Sequence, residues 1–316
     1  MPVFANHESL KPLEGDMAPP PYRDVHIPGK GVGLVATRPV KANEVYMART
    51  PAVMLDDTAF RLLGRSRLTA LLTKAVDDLP HAHRAEYLNL TTHSEVESHA
   101  ERVYEIFMRN NFRTEVQNVE VFHSAFTQVS RLNHACRPNS DYFFDDATLS
   151  HNVFAAQKVD PGEELTVTYS DPVQTHMNRQ MYLLHHWGFE CTCSLCTASE
   201  AEIEKSDTRI DEIRSLWAEL DNYTPTSAAT PEMAERLIDL YYEEDLVTRM
   251  VEAYYRVAVE WNGVGDSERG RMFAEKAIGA GEIMESGIRP FLNNMRELAN
   301  NPEGHWTWRF RVRNNT

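Results

Sequence analysis

Apolar and polar positions change period three times along the 316 residues. From His26 to Leu55 the apolar residues come in short runs, Leu34-Val35-Ala36 and Val45-Tyr46-Met47, punctuated by Gly29, Gly31 and Gly33 and by the polar turn Lys41-Ala42-Asn43-Glu44. Short runs between turn signals predict strands. Between Asp57 and Phe112 the spacing becomes helical, through Leu62, Leu63, Leu68, Leu71, Leu72 and Val76, then Tyr87, Leu88 and Leu90, then Val103, Ile106 and Phe107. Strands return at Asn152 to Ala156 and Glu164 to Tyr169, around the turn Asp160-Pro161-Gly162, and a helix from about Gln174 to Trp187 leads into Gly188. After Ala198 only helical periods remain. Tyr254, Val257 and Ala258 before the break at Asn262 to Asp266, and Phe273, Ala274, Ala277 and Ile278 after it, predict an antiparallel helix pair similar to one tetratricopeptide-type unit. The fold class is α+β: short β-sheets with a helical insertion at about 57–112, followed by an all-α C-terminal domain.

Charge refines this division. Lys+Arg 32 against Asp+Glu 47 gives −15, with a pI near 5.3. That balance argues against sequence-independent binding of nucleic acid or an anionic membrane and favours a basic partner. The excess is local: Ser199 to Leu246 carries fourteen acids against four bases, either a solvated helical face or an acidic docking surface. A mean hydropathy of −0.47 and a 42% hydrophobic share describe a soluble globular chain without a membrane span. Residues 1–22, with Asp16 and the run Pro19-Pro20-Pro21, lack both a periodic pattern and the apolar core of a secretory signal, so they are expected to form a flexible arm. With four cysteines in all, a reducing compartment is expected, cytoplasmic and/or nuclear.

Those four cysteines are informative. Cys191-Thr192-Cys193-Ser194-Leu195-Cys196 puts three thiols within six positions, too close for an unstrained disulfide and convergent on one metal. A tetrahedral structural zinc needs one more, and the remaining cysteine is Cys136. Either Cys136 closes a four-thiolate site, bringing residues 131–139 against the end of the helix after Tyr169, or the four are unrelated reduced thiols.

Around Cys136 stands Asn133-His134-Ala135-Cys136-Arg137-Pro138-Asn139. Gly162-Glu163-Glu164-Leu165 and Tyr169 follow, then Gly188-Phe189 and the cysteine cluster. In this order, N-H-x-C-x-P-N, G-E-E-L-x3-Y and G-F-x-C-x-C-x2-C resemble the SET and post-SET motifs of protein lysine methyltransferases. Gly29-Lys30-Gly31-Val32-Gly33-Leu34 resembles the family's first motif. The helical insertion and C-terminal part are most similar to the SET-and-MYND subgroup and to stand-alone SET proteins of fungi, but no second set of cysteines exists for a MYND finger.

The resemblance implies a SET-type domain over 23–187, a zinc-bound post-SET segment over 188–198 and a helical domain over 199–316. The implied activity is transfer of a methyl group from S-adenosylmethionine to a lysine of a basic protein, such as a histone tail or a ribosomal or translation protein. Lys30, Gly31, Val32 and Gly33 are then assigned to the cofactor's methionine end and ribose, and Asn133 and His134 to cofactor contacts through backbone and side chain. Asn110, or its neighbour Asn111, and Ser130 match contact positions of the subgroup. Trp187 and Phe189 flank Gly188, where an aromatic can cover adenine once zinc folds the segment back. Tyr169 contacts the cofactor and carries catalysis. Phe112, by resemblance, and Tyr142, by position, are assigned to the lysine channel. One structural zinc takes Cys136, Cys191, Cys193 and Cys196. Ala135 stands where the family usually has serine.

Each feature also has a plainer reading: a β turn at Lys30 to Gly33, a hydrogen-bonded core histidine at His134, core aromatics at Phe112, Tyr142 and Tyr169. Two rival functions remain open at this level, a non-catalytic SET scaffold that docks basic partners through its acidic helices, and a methyltransferase for a small amine. The intact Tyr169, Asn133 and His134 favour the enzyme. No G-x-S-x-G, H-E-x2-H or EF-hand loop occurs, and His81, His83, His93 and His99 are expected on the surface.

Overall fold

The computed structural model describes residues 19–92, 96–117, 120–224 and 226–313, with the backbone of 3–5. Residues 1, 2 and 6–18 of the expected arm, and His93, lie outside the described residues. Two compact units divide the chain, one of residues 1–134 and 139–167, the other of 135–138 and 168–316.

The first unit is built from short strands. β1 (Val3–Ala5), within the stretch expected as an arm, pairs with β5 (Val53–Asp56). β2 (Tyr22–Ile27), β3 (Gly31–Ala36) and β4 (Val45–Arg49) fill the region read as β from sequence. Gly29 and Gly31 have φ of 77° and 75°, which lets the chain reverse between β2 and β3.

Four helices then follow: α1 (Asp57–Leu62), α2 (Arg65–Asp77), α3 (His81–Leu88) and α4 (His99–Asn110). Asp56 caps α1 by accepting from the Ala59 N–H, and Ser98 caps α4 by accepting from Glu101. Leu68, Leu72 and Val76 of α2 and Val103, Ile106 and Phe107 of α4 are buried with Val53 and Leu55.

The helical period of the sequence runs to Phe112, yet α4 stops at Asn110. The Asn111 amide donates to the Phe107 carbonyl at 2.9 Å, supplying a partner at the helix end. From there Arg113 and Glu115 face solvent while Thr114 is buried, the alternation of a strand. This is β6 (Asn111–Val116), joined in a hairpin to β7 (Glu120–Ala125).

β8 (Asn133–His134), β9 (Ser140–Asp145), β10 (Ser150–Ala155) and β11 (Glu164–Val167) complete the unit. The sheets run β1-β5-β7-β6, β4-β10-β9 and β2-β3-β11-β8. Every pairing between these strands is antiparallel except β8 with β11, which places Asn133 opposite Thr166 and His134 opposite Val167.

The second unit is helical: α5 (His176–Trp187), α6 (Glu200–Leu220), α7 (Pro231–Glu243), α8 (Met250–Val264), α9 (Ser267–Gly281), α10 (Glu285–Asn300) and α11 (Phe310–Arg313). The expected helix pair is α8 and α9. Gly265, at φ 94°, ends α8, and the Asp266 carboxylate starts α9 by accepting from Arg269. Val257, Ala258, Phe273, Ala274 and Ala277 share one core with Ile210, Leu237 and Tyr241. Among the described residues no helix is long and apolar enough to cross a membrane.

Candidate functional site

Cys136, Cys191, Cys193 and Cys196 lie with all four sulfurs within 4.8 Å of one another. Cys136 Sγ is 3.9 Å from Cys191 Sγ and 3.5 Å from Cys196 Sγ. Four sulfurs at the usual Zn–S length of about 2.3 Å stand roughly 3.8 Å apart in a tetrahedron, whereas a disulfide needs about 2.05 Å. The donor set and spacing therefore suit one structural zinc, and the association of Cys136 with the cluster matches the reading by count.

Local chemistry explains how the loop is held. The Gln180 side chain on α5 donates to the Cys191 carbonyl and accepts from its N–H, both at 2.8 Å. The Cys193 carbonyl receives the Cys196 and Thr197 N–H groups, closing the last turn. Leu183, Leu195, Trp187 and Phe189 surround the sulfurs with apolar side chains. Cys136 is anchored through its neighbour: Arg137 donates to the Cys136 and Pro172 carbonyls and pairs with Glu244, itself 4% exposed. Glu244 also accepts from Arg209 at 2.6 Å and Ser206 at 2.8 Å.

Tyr169 lies in the same unit, its ring 4.7 Å from Trp187 and 6.4 Å from Phe189 between centroids. The three aromatic positions assigned from sequence are thus brought together beside the cysteines. Trp187 Nε1 and Ser170 Oγ are buried without a hydrogen-bond partner, two polar atoms of the kind a bound ligand satisfies.

In the first unit the Asn133 amide donates to Glu164 Oε1 at 2.9 Å, and Lys30 Nζ donates to Glu164 Oε2 at 2.8 Å. One carboxylate thus holds two of the residues assigned to the cofactor. Gly33 fits this arrangement, since a Cβ there would meet Asn133 Nδ2 at 2.5 Å and Ile27 Cδ1 at 2.6 Å. Nothing lies within 4 Å of a Cβ built on Gly31, whose glycine serves its positive φ. His134 is 4% exposed.

Asn139, the last residue of the N-H-x-C-x-P-N motif, had no role in the sequence reading. Its amide donates to the Glu164 carbonyl at 2.8 Å and accepts from the Thr166 N–H at 2.9 Å. A side chain therefore completes the backbone pairing of β11 where β3 ends and β8 begins.

Phe112 and Tyr142 also meet, with centroids 5.5 Å apart at 85°. Between them and Phe126 sits His151, 5.0, 4.7 and 4.6 Å from the three rings. The sequence reading missed it; the signal was the histidine two residues before the apolar run Val153 to Ala156. Burial lowers the His151 ring to about 3, and burial, aided by Asp141, raises the Tyr142 hydroxyl to about 12.

Asn110 and Ser130 are neighbours, Ser130 Oγ donating to the Asn110 carbonyl at 3.3 Å, while the Asn110 amide donates within its own helix to Ile106 at 2.8 Å. The Asn111 side-chain Oδ1 contacts His123 Nδ1 at 2.9 Å. His99 is exposed and lies against Asp77; His83 is partly buried, with Nδ1 lacking a partner.

Residues 31–170, which hold the short sheets around the parallel β8–β11 pair and the helical insertion, match the SET domain model. The chain carries a SET domain, the family its motifs resemble. Histone-lysine N-methyltransferase set5 of Schizosaccharomyces pombe is 27% identical over 293 residues, 90% of this chain and 85% of that protein. Histone-lysine N-methyltransferase SMYD3 of Homo sapiens is 28% identical over 139 residues, 40% of this chain and 32% of its own length. Histone-lysine N-methyltransferase SET5 of Meyerozyma guilliermondii is 42% identical over 73 residues, 22% of this chain and 15% of that one. The matches span most of the first relative and about a third or less of the other two.

Proposed function

We propose that the chain transfers the methyl group of S-adenosylmethionine to a lysine side chain of a basic protein, a histone tail being the first candidate. The observation that carries the reading is Tyr169. It stands at the end of G-E-E-L-x3-Y within the SET match and packs on Trp187 and Phe189 beside the cysteine centre. The relatives named as histone-lysine methyltransferases support it, and the acidic balance suits a basic substrate. A soluble protein of the nucleus or cytoplasm fits such a substrate.

Bound S-adenosylmethionine supplies a methyl group on a positively charged sulfur. Lys30 to Gly33, Asn110, Ser130, Asn133, His134, Tyr169, Trp187 and Phe189 are the residues that the family resemblance assigns to it. A lysine amine titrates near 10.4 in water, so it must shed its proton and hydration before its lone pair can attack carbon. Phe112 and Tyr142 form an apolar wall of the kind that strips water from the amine. The Tyr169 hydroxyl orients the nitrogen, and alignment supplies much of the rate. It acts as an un-ionised hydroxyl, because a tyrosine pKa near 10 makes a poor base at neutral pH.

Tyr169→Phe should lower transfer from labelled cofactor to histones or total basic protein by roughly 100-fold or more, on the scale of losing one positioned polar group. Cofactor binding by calorimetry should survive. Full transfer by the phenylalanine variant removes Tyr169 from the chemistry; absence of both binding and transfer in the wild type returns the chain to the scaffold reading.

A further inference from the structure

Helix α5 sets two consecutive polar side chains toward the cysteine centre, and they act differently. Gln180 grips the Cys191 backbone. Arg179 is 1% exposed and lies one turn before Leu183, on the face of α5 that Leu183 buries among the cysteines. Its guanidinium interacts with Cys136 and Cys196, while one of its Nη atoms donates to the Gln174 carbonyl and its Nε has no partner. Among the described residues no carboxylate pairs with it. Arg137, the other arginine near Cys136, is already paired with Glu244.

A guanidinium stays protonated inside proteins, and a buried one needs an opposite charge. Four neutral thiols do not provide it. Four thiolates around Zn²⁺ carry two net negative charges, and one guanidinium offsets half of them. Arg179 and a metal-loaded centre therefore require each other.

We propose that Arg179 is the counter-charge of the zinc–thiolate centre, a positioning residue that retains the metal by neutralising Cys136 and Cys196 without touching it. This rests on the zinc assignment. With zinc bound, loss of the guanidinium leaves the full negative charge in apolar surroundings and loosens the metal. The stabilisation that Arg179 gives is then larger with zinc than without it, whereas a packing role alone costs both forms alike.

The experiment uses the full chain as wild type, Arg179→Met and Arg179→Lys. Zinc release to a chromogenic chelator is timed, and melting midpoints are taken with zinc and after stripping under reducing conditions. Release from Arg179→Met is expected to be roughly tenfold faster or more, and from Arg179→Lys within about threefold of wild type, as for the loss or retention of an outer-shell partner. The methionine variant should melt further below wild type when loaded than when stripped. Equal release rates, or an equal fall in midpoint in both states, overturn the proposal. If Arg179→Met does not fold, the lysine variant decides: release within the stated range supports the charge role, and release as fast as roughly tenfold overturns it. A wild-type chain that takes up no zinc fails at the earlier step and overturns the zinc assignment itself.

Discussion

Asn139 shows how much one amide can do for a strand. It offers N–H and C=O at the spacing of a backbone and meets Glu164 and Thr166 of β11 with both. Asn139→Ala leaves a partly buried carbonyl and N–H unpaired. The expected loss is about 2–4 kcal/mol, from two groups at about 1–2 kcal/mol each, read as a lower urea midpoint with unchanged slope. A midpoint equal to wild type would mean that water replaces the amide. In sequence the residue was visible as part of a motif, but its partners lie 25 and 27 positions away, beyond any local rule. Gly33 is similar: its glycine was plain, yet the atoms that demand it, Asn133 Nδ2 and Ile27 Cδ1, are only known once β3 has neighbours.

The elements most legible in sequence were those whose signals are local. The α8–α9 pair could be placed because the turn glycine, the Asp266 cap and the apolar period agree. The β6–β7 hairpin was missed because Phe112 continues the helical period of α4, and only the Asn111 side chain marks the change. That hairpin and the β9–β10 pair bring Phe112, Phe126 and Tyr142 around His151.

This aromatic setting carries its own pH signature. His151 accepts a proton near 3 when folded, and an unfolded histidine near 6.5. Between those values the unfolded state holds more protons, so stability rises with pH through the window and falls as the solution is acidified. Tyr142 stays protonated throughout. His151→Phe should therefore reduce the slope of unfolding free energy between about pH 6 and about pH 4 by on the order of 1 kcal/mol per unit. Denaturant midpoints at both ends of the range check this, and an unchanged slope assigns the acid sensitivity to other groups.

For the molecule as a whole, the acidic segment after Ser199 reads in sequence as a solvated face or a docking surface. Part of it faces inward: Glu244 is buried and joins Arg137, Arg209 and Ser206. Glu244→Ala strands buried positive charge and is expected to cost about 3–5 kcal/mol, and any metal held by the four cysteines should loosen as well because Arg137 adjoins Cys136. Thermal midpoint and metal content measured on one sample test both; a stable variant that still loses zinc would separate the two effects. The same contacts set an order of assembly. Glu244 lies 107 positions after Arg137, and Cys191 55 positions after Cys136. At about 5–20 residues per second of synthesis, the Arg137 partner leaves the ribosome roughly 5–20 s after Arg137 itself. Residues 135–138, which belong with the second unit, must wait for it while the strands on either side can already pair. Gathering of the four cysteines thus cannot begin before Cys196 has emerged, and Arg137 is secured only when Glu244 follows, so a chain stalled between the two carries an unpaired arginine beside its cysteine centre.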